Sequence, residues 1–324
     1  MPAQTRFALV ASLTIALSTG GSSNGFAADL FGDQVASLLR NDIFAAEASL
    51  GYIRGTSREY VYDARGTKLS QLDWRIDDGA VAAGRLTFRP LDWLSVRARG
   101  WAKIDADNLM KDYDWFAGYL GFDSWTHRSI HSDTELTKGL QGDLSVAAWF
   151  WDDEGFALGV IAGYRYMTLK WDAYGGSYIY SVSAFRDTAG TFPDQLGITY
   201  QQWWQTPYIG FGLSYSVDDL AVTGEVIGSG WVKANAEDHH VLRDLVFEDK
   251  FSQSLMIGAT VGAEYRFSEA WSAVGRVEHQ RYFEAEGGTK IIHQTSGLAI
   301  QLPKPAAGAA SENTLVSLGA KFRI

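Results

Sequence analysis

Between residues 92 and 104, apolar and polar side chains alternate: Leu94, Val96, Ala98, Ala102 and Ile104 fall on one side, and Ser95, Arg97, Arg99 and Lys103 on the other. Successive side chains of an extended strand point to opposite faces, so this segment is a strand with one oily and one wet face. Residues 141–151 repeat the pattern, with Leu144, Val146, Ala148 and Phe150 set against Gln141, Asp143, Ser145 and Ala147. Further on, Ile209, Phe211, Leu213 and Tyr215 alternate with Gly210, Gly212, Ser214 and Ser216. The clearest case is 254–267, where Leu255, Ile257, Ala259, Val261, Ala263, Tyr265 and Phe267 alternate with Gly258, Thr260, Gly262, Glu264 and Arg266. A soluble sandwich buries its large residues. Here they form one continuous face, and the other face is small, polar or charged, which predicts a transmembrane barrel with lipid outside and a polar lumen.

The alternation predicts ten strands, at 45–54, 73–90, 92–104, 141–152, 155–170, 206–217, 219–232, 254–268, 270–285 and 313–324. An even number suits closure of an antiparallel sheet in a bacterial outer membrane. Short turns at Pro90-Leu91, Asp152-Asp153-Glu154, Val217-Asp218 and Ser268-Glu269 separate long polar loops at 55–72, 105–140, 171–205, 233–253 and 286–312. That asymmetry matches periplasmic turns and extracellular loops. The last strand alternates up to Ile324, as closure requires, because an unpaired edge in lipid strands its amides and carbonyls. Trp93, Trp101, Tyr208 and Trp271 lie near strand ends and suit interfacial aromatic girdles. The expected fold is all-β: a ten-stranded antiparallel transmembrane β-barrel.

The longest apolar run, residues 7–17, is about half of the roughly 20 residues a spanning helix needs. Arg6 precedes it and Gly25-Phe26-Ala27 follows, the layout of a secretory signal. The expected organisation is a signal peptide at 1–27, cleaved after Ala27 or Ala28, and a single barrel domain at 28–324.

The 324 residues include 28 Lys and Arg, 38 Asp and Glu, no cysteine, 34 Gly, 12 Trp, 15 Tyr and 17 Phe, with a net charge of −10. Removing Arg6 with the leader leaves 27 basic and 38 acidic groups, a net of −11. An acidic chain without a basic tract excludes nucleic acid as a partner. The absence of cysteine removes disulfides, thiolate metal sites and Cys nucleophiles, which leaves His, carboxylate and hydroxyl chemistry.

Two of the predicted loops carry polar groups that a simple pore does not need: Met110-Lys111-Asp112-Tyr113-Asp114-Trp115 and Glu237-Asp238-His239-His240. In extended chain, positions i and i+2 share a face, so Asp112 can converge with Asp114, and Asp238 with His240. Paired carboxylates raise each other's proton affinity, and an Asp beside a His fixes its tautomer and stabilises its imidazolium. Together they could hold a water and take its proton. Spacing alone equally allows a solvated loop, a divalent-cation site at the Asp pair, or surface histidines.

Over nearly its whole mature length the chain resembles the omptins, a family of ten-stranded outer-membrane proteases. The matching stretches are Ser70-Gln71-Leu72-Asp73-Trp74, Asp112-Tyr113-Asp114-Trp115, Trp125-Thr126, Ala162-Gly163-Tyr164, Gly175-Gly176-Ser177-Tyr178-Ile179-Tyr180, Phe185-Arg186-Asp187, Pro207-Tyr208-Ile209-Gly210 and Ser229-Gly230-Trp231-Val232. The resemblance implies an aspartic endopeptidase with Asp112, Asp114, Asp238 and His240 as its catalytic set. His240 is the general base, Asp238 orients it, and the Asp pair positions water. His239 is the alternative base, but it points away from the face of Asp238.

The resemblance further implies cationic polypeptide substrates, with Glu59 and Met110 in the pocket for the residue before the scissile bond (P1). It also implies lipopolysaccharide bound at Tyr164 and needed as activator, no other cofactor or metal, a monomer, and a site facing the cell exterior. The chain departs from the family pattern at several positions. The second acidic pocket position is Ala236, with Glu237 as a possible substitute. His127 stands where an Asp favours a basic residue beyond the scissile bond, and His131-Ser132 replaces His-Pro. Two lipid-binding arginine positions are Thr168 and Trp203, with Arg165 and Lys170 as possible compensation. These departures weaken the expected dibasic preference and lipid grip, and they support an alternative reading as an adhesin. A porin is a third reading, although Arg97, Arg99, Glu225, Glu264 and Arg266 are expected to fill so narrow a lumen.

Overall fold

The computed structural model describes residues 43–153 and 155–324. The expected signal segment and its cleavage point lie outside the described residues. The strands are β1 (Phe44–Tyr62), β2 (Lys68–Leu91), β3 (Leu94–Asp114), β4 (His127–His131), β5 (Asp133–Asp153), β6 (Phe156–Tyr174), β7 (Ser177–Tyr180), β8 (Thr188–Thr191), β9 (Leu196–Val217), β10 (Leu220–His240), β11 (Leu245–Phe251), β12 (Ser254–Arg266), β13 (Trp271–His293) and β14 (Ala299–Arg323). Ten of them close a ring, in the order β1, β2, β3, β5, β6, β9, β10, β12, β13, β14 and back to β1. The closing antiparallel pair runs from Ala45 opposite Arg323 to Val61 opposite Ala307.

The inverted pattern holds along the wall. On β12, Leu255, Ile257 and Val261 are exposed, while Met256, Gly258 and Thr260 between them are buried. Trp93 and Trp271 are exposed near the short turns, as girdle residues should be. Trp101 and Tyr208 are not: both are buried in the lumen. They have the opposite parity to the outward residues Ala102 and Ile209 beside them, and parity outweighs position along the strand.

The ring strands other than β12 are 19 to 25 residues long. That is about twice the 9–11 residues a tilted strand needs to cross a bilayer. Most of each predicted long loop is therefore strand continued above the membrane, and only the tips are loop. The outward face shows where lipid ends: on β10, Val226 and Trp231 give way to exposed Lys233, Asn235 and Glu237. β11 continues the line of β12, pairing with the upper parts of β10 and β13 on either side. β4, β7 and β8 form a small sheet added to the upper edge of β3.

Charge fills the middle of the lumen. Asp143 pairs with Arg99 at 3.2 Å and Arg165 at 2.9 Å and accepts from the Tyr208 hydroxyl at 2.8 Å. Glu225 pairs with Arg97, and with Arg99 at 3.2 Å. Above this network, Trp204 packs on Tyr282 with ring centres 4.6 Å apart. At the short-turn end a cavity of about 420 Å³ opens between Glu47, Arg85, Arg97 and Glu225, away from the candidate chemistry.

Candidate active site

Asp112 and Asp114 sit on strand β3, where the period of two puts both on the inner face above Met110. β2 and β4 fix their position. Leu72 and Ser129 stand opposite Asp112, and Ser70 and His127 opposite Asp114. The Ser70 hydroxyl donates to Asp112 Oδ1 at 3.0 Å. Backbone bonds from Trp115 N to Leu69 O (2.8 Å) and Thr126 N to Asp114 O (2.7 Å) hold the end of the strand. Arg186 braces the adjoining loop by donating to the Trp125 carbonyl at 2.9 and 3.0 Å and stacking 3.3 Å over the Trp125 ring.

Asp238 and His240 sit at the top of β10 with the same spacing and the same inward face. The His240 Nε2–H donates to Asp238 Oδ2 at 2.6 Å, and Phe247 of β11 packs edge-on to the imidazole at 5.4 Å. Because Nε2 carries that proton, the neutral ring presents Nδ1 as its base. β3 and β10 lie four strands apart one way round the ring and six the other, so the two pairs face each other across the mouth. The charges of Asp112 and His240 act on each other there.

Burial pushes both Asp112 and Asp114 above the usual carboxylate range, and the Asp112 charge adds to the effect on Asp114. The Ser70 hydrogen bond, His240 and Arg243 pull Asp112 partly back. Burial draws His240 down, but the charge and hydrogen bond of Asp238 outweigh it, leaving the imidazole above its ordinary value. The arrangement is a pair of carboxyls with raised proton affinity on the β3 side and a strengthened base on the β10 side.

Beneath the pairs lies an aromatic floor. Trp74 stacks on Tyr200 at 5.3 Å and packs against Trp171 at 6.0 Å, all three fully buried beside Met110. Glu59 of β1 is buried among the carboxylates. Burial, then the charges of Asp238, Asp249 and Asp112, hold it well above the usual range.

The Omptin family model matches residues 40–324. The chain belongs to the omptin family. It is similar to the plasminogen activator of Yersinia pestis, 33% identical over 318 residues that cover 97% of this chain and 98% of the relative. It is likewise similar to the outer membrane protease OmpP of Escherichia coli strain K12, 29% identical and covering 97% and 98% of the two chains. The crystal structure of outer membrane protease OmpT from Escherichia coli matches with a TM-score of 0.82 at 29% identity, covering 87% of this chain and 96% of that one. This omptin is an outer-membrane β-barrel within a family of proteases.

The barrel also places the positions where this omptin departs from the family pattern. Glu237 is exposed on the outer face, opposite in parity to Ala236 and Asp238, so it does not reach the pocket. His127 hydrogen-bonds Thr126 through Nδ1 at 3.0 Å and packs between Phe116 and Tyr180. His131 is buried, stacked on Phe192 at 5.3 Å and bonded to Ser129 at 3.0 Å. Tyr164 is exposed on the outer wall. Thr168 is buried there beneath Gln201, which donates to it at 3.0 Å, and Trp203 stands opposite it. Arg165 cannot compensate for a missing lipid ligand, because its odd parity turns it into the lumen against Asp143. Lys170 remains on the outer wall with Lys138 opposite it. Two further polar residues that the sequence does not single out lie beside these groups: Ser70, bonded to Asp112, and Asp249, buried opposite Ala236. Ser70 lay in a quoted motif, but only strand register reveals what either residue faces.

Proposed function

We propose that this omptin is a cell-surface endopeptidase that hydrolyses cationic polypeptides with water as the nucleophile. The supporting observation is the 2.6 Å hydrogen bond that orients His240 across the barrel mouth from the Asp112–Asp114 pair. A peptide lying between β3 and β10 brings its carbonyl between the two pairs. His240 Nδ1 takes a proton from water, and the oxygen adds to the carbonyl carbon. The proton held by the aspartate pair hydrogen-bonds the tetrahedral oxyanion, and Asp238 stabilises the imidazolium. His240 then passes its proton to the leaving amine as the C–N bond breaks. Glu59 and Met110 form part of the pocket for the basic side chain before that bond.

Lipopolysaccharide acts in this reading as an activator held at the outer wall by Tyr164 and Lys170, and no other cofactor or metal takes part. The closed ring leaves no strand edge for self-association in lipid, which supports a monomer. The charge-filled lumen weighs against a pore. Hydrolysis in H₂¹⁸O tests the chemistry. The new C-terminal carboxyl should gain label in a single turnover, with no burst of acylated protein. A stoichiometric acyl burst would overturn water attack. Proteolytic inertness in lipopolysaccharide-containing vesicles would favour the adhesin reading.

A further inference from the structure

In the pocket that the proposed function gives to the basic side chain, residue 236 of β10 is alanine, where the family resemblance implies an acidic residue. The sheet supplies another from the neighbouring strand. Asp249 of β11 stands directly opposite Ala236 in the antiparallel register. Directly opposed residues share a face, with Cβ atoms about 4.5–5.5 Å apart. The carboxyl at 249 therefore stands beside the place a longer side chain at 236 would occupy, where alanine contributes only a methyl.

Asp249 is only 4% exposed, as is Glu59. Asp249 Oδ1 and Glu59 Oε2 are each buried without a hydrogen-bond partner among the described residues. The Asp249 charge acts on Glu59, and the charges of both act on Tyr200 in the aromatic floor. Trp74 hydrogen-bonds Glu59 and Thr289 hydrogen-bonds Asp249, but neither carboxyl has a cation beside it among the described residues. Two buried carboxylates without a counter-charge are unfavourable and become favourable once a cation pairs with both. Met110, Trp74 and Tyr200 offer apolar surface for the aliphatic stem of Lys or Arg.

We propose that Asp249 is the second anionic wall of the substrate pocket, supplied across the β10–β11 pair in place of a side chain at Ala236, and that with Glu59 it selects a Lys or Arg side chain. This rests on the protease reading for its kinetic assay, so the test has a second arm that needs no cleavage. Two peptides that differ only by arginine or citrulline before the scissile bond share shape and differ in charge. The full-length protein in lipopolysaccharide-containing vesicles should cleave the arginine peptide preferentially. Asp249→Asn should lower kcat/KM for it about tenfold (about 1.4 kcal/mol), mainly through KM, and leave the citrulline peptide almost unchanged. Adding Ala236→Asp to Asp249→Asn should restore the preference, which a merely structural role for Asp249 would not produce.

An arginine-to-citrulline ratio unchanged in Asp249→Asn would overturn the proposal. In the second arm, anisotropy titration of N-methylated, uncleavable versions of both peptides should show the same tenfold charge preference in the wild type and its loss in Asp249→Asn. Equal preferences in the two proteins would overturn it there too. A wild type that binds with this preference and cleaves nothing would sink the protease reading and leave the pocket standing.

Discussion

Asp238 does two things to His240. It holds the Nε2 proton, and its charge keeps the ring more basic than burial alone would allow. A general base must be neutral, so kcat/KM should rise with pH as His240 deprotonates, with a midpoint above the ordinary histidine value. Asp238→Asn removes the charge, so that midpoint should fall to lower pH and the plateau should drop with it. A pH profile unchanged in position would remove Asp238 from this role. Ser70 donates to Asp112 and favours its ionised form. Ser70→Ala should push the aspartate proton to still higher pH and slow turnover several-fold, as loss of one hydrogen bond to a charged group does. The Asp112–Asp114 and Asp238–His240 pairings were legible in the sequence because i and i+2 share a face in any strand. The positions of Ser70 beside Asp112 and of Asp249 opposite Ala236 were not, because each depends on the register of a neighbouring strand.

The four catalytic candidates stand on strands, and that is what gives them fixed geometry. Alternation located the ten strands inside the membrane, where lipid demands a large apolar face. Above the lipid it faded, since Lys233, Asn235 and Glu237 meet water on one side while Ala234, Ala236 and Asp238 line the mouth on the other. From sequence alone the upper strands therefore look like loops. Trp101 and Tyr208 show the converse error, since aromatic character suggested a girdle although parity already pointed inward. β11 depends on a close approach to β13. A Cβ at Gly287 would lie 2.1 Å from the Lys250 carbonyl oxygen, so a side chain there must displace β11. Gly287→Val should leave the transmembrane ring folded, as judged by SDS-resistant gel migration, while lowering peptide cleavage at least tenfold through misplaced Phe247 and Asp249. Full activity in a folded Gly287→Val protein would show that β11 does not shape the site.

At the scale of the molecule, a ring closed by β1 and β14 carries a charged interior that supports the mouth above it. Asp143 is the hub, buried between Arg99 and Arg165. Asp143→Ala leaves two buried cations short of their partner and should cost about 3–5 kcal/mol of stability, read from denaturant unfolding followed by tryptophan fluorescence. A change below about 0.5 kcal/mol, typical of a surface substitution, would contradict that role. The same filled lumen should give no single-channel conductance in planar bilayers. The central claim is that carboxylates and a histidine from opposite walls activate water at the mouth. Its most direct test is cleavage of a basic peptide by wild type, His240→Ala and Asp112→Ala, each folded in lipopolysaccharide-containing vesicles. The wild type should cleave, and each variant should lose about 10²–10⁴-fold in kcat, the range expected for removing an acid–base group. Cleavage by His240→Ala or Asp112→Ala at the wild-type rate would contradict the account.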